Sequence, residues 1–186
     1  MIDTILLDVD GVSNAFHKHV FDHLGLPYMD DSRYPVECGW DIVSAANQLA
    51  GYERFTPTAF WNSITREMWA STPVSPEFEF IIAWAEIQVG REHIYFLTSP
   101  TFDPDSVAGK LEWIQQYAPK WMQRQFLIGP CKHLWAKPGA LLIDDSDNKV
   151  AMFQEHGGMA ILVPRPWNSL HGRDPITYLS EQFKRF

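Results

Sequence analysis

Asp8-Val9-Asp10-Gly11 follows directly on the apolar run Ile5-Leu6-Leu7, which sets two carboxylates at the mouth of what reads as a buried strand. Carboxylates this close repel one another unless a cation or a proton intervenes. Mg²⁺, a hard ion that prefers oxygen ligands, is the usual solution, and a carboxylate beside it can attack phosphorus. The plainer alternative is a strand-ending turn, since Asp and Gly are common turn formers. Three later segments weigh against it. Ile94-Tyr95-Phe96-Leu97 ends in Thr98-Ser99-Pro100, which offers two hydroxyls and backbone amides to an oxyanion. Phe126-Leu127-Ile128 leads to Lys132, and Ala140-Leu141-Leu142-Ile143 ends in the acidic pair Asp144-Asp145.

Each apolar run has the length and composition of a central parallel strand covered on both faces. Open α/β sheets bind ligands outside the carboxyl ends of such strands, so all four sets of polar groups fall on the edge where chemistry is expected. A helix from about Asn148 to His156, ended by Gly157-Gly158, leads to a further strand at Ala160-Ile161-Leu162-Val163. Residues 12 to 93 are far more than a crossover helix needs. The expected fold is therefore α/β, a Rossmann-like parallel sheet with helices on both faces and a small helical cap inserted after the first strand. The division it suggests is a core of 1–13 and 91–186 with a cap of 14–90.

Inside the insertion, Thr56-Pro57 and Ser75-Pro76 read as an N-cap followed by proline at the first helical position. Phe60, Ile64 and Met68 form one helical stripe, and Phe78, Ile81, Ile82 and Ala85 carry the chain back to the core. Asp103 and Pro104 open a helix whose packed face reads as Val107, Leu111 and Ile114. Asp147 reads as the start of the helix after the acidic pair, where its charge suits the dipole.

With 186 residues, 46% of them hydrophobic, the chain can build one α/β core plus an insertion. The formal net charge of −8 argues against a nucleic-acid polymer as partner. No run reaches membrane-spanning length and no basic leader precedes the first strand, so no membrane association and a cytoplasmic location are expected. Cys38 and Cys131 lie far apart without Cys-x-x-Cys spacing, which indicates reduced thiols.

The ordered motifs at Asp8 and Asp10, Thr98, Lys132 and Asp144-Asp145 resemble the haloacid dehalogenase superfamily of phosphatases. Within it the chain is most similar to the 5′-deoxyribonucleotidases, through Phe96-Leu97-Thr98-Ser99-Pro100 and Leu141-Leu142-Ile143-Asp144-Asp145, with Phe16, Trp61 and Pro166-Trp167-Asn168 in support. It departs from that family at Ser146, where Arg often follows the acidic pair, and at Pro130-Cys131, where Arg-Asp often precedes the lysine.

The resemblance implies that Asp8 is the nucleophile and Asp10 the general acid and base, with Thr98, Ser99 and Lys132 holding the phosphate. It implies Mg²⁺ held by Asp8, the backbone carbonyl of Asp10 and Asp145, with Asp144 orienting its neighbours. Lys137 competes with Lys132, but Pro138-Gly139 beside it looks like a turn. Phe16, Trp61 and Trp69 lie where related nucleotidases set aromatic rings against the base, although such rings also fill cores. His17, His19 and His23 read as solvated or pocket-edge residues rather than a second metal site, and Cys131 as an inert loop or core thiol. The implied substrate is a small phosphorylated molecule, a nucleoside monophosphate, and a homodimer is left open. A sugar-phosphate phosphatase or mutase is the alternative within enzymes. A phospho-aspartate receiver lacks so large an early insertion, and a silent binding module would not need the full set of chemical groups.

Overall fold

The computed structural model describes residues 1–186. Five strands, β1 (Thr4–Leu7), β2 (Ile94–Thr98), β3 (Phe126–Ile128), β4 (Ala140–Asp144) and β5 (Met159–Leu162), form one sheet in the order β3-β2-β1-β4-β5. Every neighbouring pair is parallel, so the carboxyl ends share one edge. β1 is central, with Leu7 paired to Phe96 on one side and Ile143 on the other. Asp8 and Asp144 are thereby brought level with one another by strand register, and Thr98 stands one residue further along the same edge.

Between β1 and β2 come α1 (Phe16–His23), α2 (Ile42–Ala50), α3 (Pro57–Asn62), α4 (Arg66–Ser71) and α5 (Phe78–Val89). The remaining helices are α6 (Pro104–Tyr117), α7 (Asp147–Glu155) and α8 (Pro175–Phe183). None is long and apolar enough to cross a membrane. Alternate strand residues face opposite sides of the sheet. Ile5 and Leu7 pack with residues of α5, α6 and α8, whereas Leu6 packs with Leu97, Leu142 and Phe153 of α7. Both faces of β1 are covered, as its unbroken apolar run requires.

A second apolar cluster joins α1 to α4 around Phe16, Phe60 and Trp69, and takes one ring, Trp167, from the segment after β5. α5 does not belong to it: Phe78, Ile81, Ile82 and Ala85 lie in the sheet's cluster. The chain passes from one cluster to the other in the stretch before α5. There the outgoing and returning chains pair, with Ala15 N–H donating to Pro73 O at 2.8 Å and Ser75 N–H to Ser13 O at 2.9 Å. Ser75 does not cap a helix as expected, because its hydroxyl donates to Val12 O instead. The single stripe of Phe60, Ile64 and Met68 is split between α3 and α4, since the Thr65 side chain accepts from Met68 N–H and starts a new helix. All three residues still reach the same cluster.

The packed face of α6 also differs from expectation. Val107 is exposed and Leu111 half-buried, whereas Ser106, Gly109, Lys110, Trp113 and Ile114 are buried. The apolar stripe is displaced because α4 presses on Gly109, where a Cβ would stand 2.4 Å from Trp69 Cβ and 2.6 Å from Arg66 O.

His17 is buried rather than solvated, stacked on Trp167 with centroids 3.6 Å apart, and its Nδ1 has no hydrogen-bond partner. Burial first, and the Arg165 charge second, lower its pKa from 6.5 to about 3.

Two outcomes follow from this packing. Gly109→Ala gains about 1 kcal/mol of helix propensity, but its methyl meets backbone and a Cβ that no rotamer change can move. We expect a net loss of about 1–3 kcal/mol in urea denaturation; an unchanged midpoint would contradict the close approach. For His17, only the unfolded chain binds the proton between about pH 6.5 and the folded value of about 3. Its stabilisation is complete above that window and falls by up to about 1.4 kcal/mol per pH unit as the pH drops through it. His17→Phe, which keeps a ring against Trp167 and has no proton to gain, should flatten the acid-side slope of stability. An unaltered slope would count against a neutral imidazole.

Candidate active site

The turn after β1 is held by its own backbone: Ser13 and Asn14 N–H both donate to Val9 O at 2.9 Å. Gly11 within it has φ of +76°, and a Cβ there would fall 1.9 Å from Asp145 Oδ2, so only glycine lets the turn approach the end of β4. This closeness brings Asp8 and Asp10 up to the acidic pair.

Four carboxylates meet at this edge, and two buried lysines lie among them. Lys132 Nζ stands 2.8 Å from Asp8 Oδ1 and 2.6 Å from Asp144 Oδ2. Lys137 lies at the surface, 3.8 Å from Asp3, so Lys132 is the lysine that enters the cluster. Burial alone would lower the Lys132 pKa, but the charges of Asp144 and Asp8 outweigh it and hold the ammonium above its ordinary value. Lys110 of α6, which the sequence reading missed, places Nζ 2.6 Å from Asp10 Oδ2 and donates to Thr98 Oγ1 at 3.2 Å and to Ser99 O. The signal for it is helical spacing: Lys110 stands on the same face as Ser106 and Trp113.

The oxygens of the acids are unequally occupied. Asp144 uses both, Oδ2 for Lys132 and Oδ1 for the Ser146 N–H at 2.9 Å. Asp145 Oδ2 accepts from Trp167 Nε1 at 2.9 Å, while Oδ1 is buried without a partner. Burial, then the charges of Asp144 and Asp8, push the Asp145 carboxyl well above the usual range. Asp8, Asp144 and Asp145 can each bring one oxygen within 4.8 Å of the others. An orphaned oxygen in an all-oxygen, charge-rich hollow fits a hard divalent cation such as Mg²⁺. Asp8 and Asp145 have the free capacity to hold it. Asp144, with both oxygens engaged, orients Lys132 instead.

A cavity of about 500 Å³ opens over this cluster. Of the residues singled out in the sequence, it brings together Asp8, Asp10, Ser99, Lys132 and the aromatic rings of Phe16, Trp61 and Trp69. Thr98 and Asp145 are fully buried beside it. Phe16 and Trp69 are stacked on each other with centroids 4.3 Å apart, so each has one face already covered. Trp61 is half-buried, and the exposed Trp40 also lines the wall. Asn14 Oδ1, His17 Nδ1, Ser99 Oγ and Asp145 Oδ1 are the buried side-chain polar atoms without a partner. His17, Ser99 and the acids flanking Asn14 and Asp145 border this one cavity, as expected of a site that completes its bonds with a ligand. His19 and His23 join no metal-binding group, and Cys131 is an exposed loop thiol.

No protein-family model matches this sequence, and no curated protein matches it. Among solved structures, the putative HAD-hydrolase YfnB from Bacillus subtilis, bound to magnesium, is 12% identical over 99% of this chain and 98% of that one, with a TM-score of 0.61. A hydrolase from Streptococcus pneumoniae TIGR4 is 11% identical over 98% of each chain, with a TM-score of 0.57. CbbY from Rhodobacter sphaeroides in complex with phosphate is 17% identical over 94% of this chain and 91% of that one, with a TM-score of 0.50. At such identities the likeness concerns architecture: the chain has the Rossmann-like α/β fold of the haloacid dehalogenase-type hydrolases.

Proposed function

We propose that this protein is a Mg²⁺-dependent phosphomonoesterase that removes the 5′-phosphate of (deoxy)nucleoside monophosphates through a phosphoaspartate on Asp8. The observation that carries this reading is the pair Asp8 and Asp10, each held by its own buried lysine, beside the orphaned Oδ1 of Asp145. Asp8 Oδ1 accepts from Val9 N–H and lies against Lys132, and the side chain lines the cavity. Its other oxygen forms the bond to phosphorus as the bond to the leaving oxygen breaks, and Asp10 gives that oxygen a proton. Asp10 then takes a proton from the water that attacks the phosphoaspartate and releases phosphate.

Asp8, the main-chain carbonyl of Asp10 and Asp145 would hold Mg²⁺, which would offset the charge that otherwise sets the nucleophile against a dianionic phosphate. Lys132, Lys110 and the Ser99 hydroxyl, which has no internal partner, offer donors to the transferring oxygens. Thr98 holds Lys110 from behind through the bond to its Oγ1. The nucleotide preference rests on the sequence likeness and on the aromatic wall of the cavity, where stacking a base on a ring such as Trp61 is worth about 1–3 kcal/mol.

A phosphate-release panel over deoxynucleoside, ribonucleoside and sugar phosphates, with Mg²⁺ or with EDTA, tests both levels of the claim. Deoxynucleoside monophosphates should turn over fastest and EDTA should abolish release. A clear preference for sugar phosphates would overturn the nucleotidase assignment, and full turnover by Asp8→Asn would overturn the nucleophile. Lys110→Met removes a charged donor beside Asp10 and should lower kcat by about 10²–10³-fold; an unchanged kcat would limit Lys110 to a packing role.

A further inference from the structure

Asp145 has two chemically equivalent oxygens, and the terminal torsion of a carboxylate is soft. What distinguishes them is a single donor, the Trp167 indole N–H, which lies 2.9 Å from Oδ2 and leaves Oδ1 unpartnered. We infer that Trp167 is a positioning residue for the metal site: it fixes Oδ2 so that Oδ1 is presented to the cation, and its stack on His17 makes that presentation depend on how α1 is seated. The inference rests on the reading of Asp145 as a metal ligand and says which residues set the strength of that ligation.

The frame around the indole is built to hold it. Asn168 Nδ2 donates to the main-chain oxygens of Asp145 at 2.9 Å and Val163 at 2.8 Å. Its Oδ1 accepts from Leu170 N–H at 3.0 Å and Arg165 N–H at 3.3 Å, so the whole amide is committed to the loop after β5. Arg165, two residues before the indole, pairs through both terminal nitrogens with Glu77 at 2.9 and 3.3 Å and donates from Nε to Gly11 O at 2.6 Å. Gly11 in turn leaves room for the ring, since a Cβ there would stand 3.2 Å from Trp167 Cζ2. The loop, the turn after β1 and the start of α5 are thus tied to one another around the indole.

The other side of the ring belongs to the insertion. His17 lies parallel to it within 13° at 3.6 Å between centroids, and Tyr34 is 5.6 Å away. Trp167 is a core residue that completes the apolar cluster of α1 to α4 while its one polar atom holds a carboxylate of the site. If the ring only filled space, the direction of its N–H would have no consequence for ion binding. Outer donors that orient metal ligands typically change metal affinity 10–100-fold when removed.

The test is a calorimetric titration of the whole protein with Mg²⁺ alone, in the absence of substrate and phosphate, alongside thermal melting of the metal-free proteins. Trp167→Phe keeps an aromatic ring in the cluster and removes the N–H; we expect its Kd for Mg²⁺ to rise about 10–100-fold. His17→Ala removes the stacked partner and should raise the Kd by a smaller factor. A Trp167→Phe protein that melts lower without metal yet binds Mg²⁺ like the unaltered protein would overturn the inference and leave the ring a purely structural role. An unaltered Kd in His17→Ala would remove the part assigned to α1. Failure of the unaltered protein to bind Mg²⁺ would instead defeat the reading of Asp145 as a ligand, an outcome distinct from equal binding by both.

Discussion

Burying like charges together is the constraint from which the rest of this site follows. Asp144 and Asp145 are wholly enclosed and Asp8 nearly so. An ionised carboxylate taken out of water costs several kcal/mol unless partners replace its hydration. Lys132 bridges Asp8 and Asp144, which settles those two, and Lys110 answers Asp10. Nothing cationic touches Asp145, whose carboxyl is accordingly pushed well above the usual range by burial and by its acidic neighbours. Two lysines against four carboxylates leave the cluster short of positive charge, and the shortfall lies at the spot where one carboxylate oxygen has no donor. A divalent ion would correct both deficits at once.

Holding such a cluster demands rigid supports, and these come from parts of the chain that share no local pattern. Strand register aligns Asp8 with Asp144 and sets Thr98 one residue beyond them, and each lysine reaches in from a different element. The buried fork between Arg165 and Glu77 braces the loop that carries Trp167. Breaking one partner of such a buried pair is far more damaging than its net stabilisation suggests, because the other charge is left enclosed. Arg165 also donates to Gly11 O, so the brace extends to the turn that carries the acids.

This division between local and distant causes explains what the sequence discloses. The strands and their terminal acids are legible because an apolar run ending in polar residues is a local pattern; β3 spans Phe126–Ile128 as the sequence suggests, and β4 extends only to its first acid. The Asp103 cap of α6 is legible for the same reason. Lys110, His17 and Arg165 are not, since each owes its burial to partners far along the chain; the Arg165 bonds to Glu77 and Gly11 span 88 and 154 residues. On α6 only Ile114 of the expected stripe is buried, while Val107 and Leu111 turn away from the face that packs. Gly109 and Lys110 take the inner positions, one by yielding space to Trp69 and the other by reaching Asp10.

Rings that hold the insertion together are distinct from rings with a face open to the cavity. Phe16 and Trp69 each give one face to the other, and Lys110 sits 5.0 Å from the centroid of Trp69. His17 and Trp167 are likewise stacked together. These four cannot change much without loosening the attachment of α1 and α4 to the sheet, so they are poor places to vary specificity. Trp40, about half exposed, and the half-buried Trp61 line the same cavity with no stacked partner. The rings least engaged in packing are therefore the ones with faces open to the cavity, while its acidic end is fixed by the two lysines.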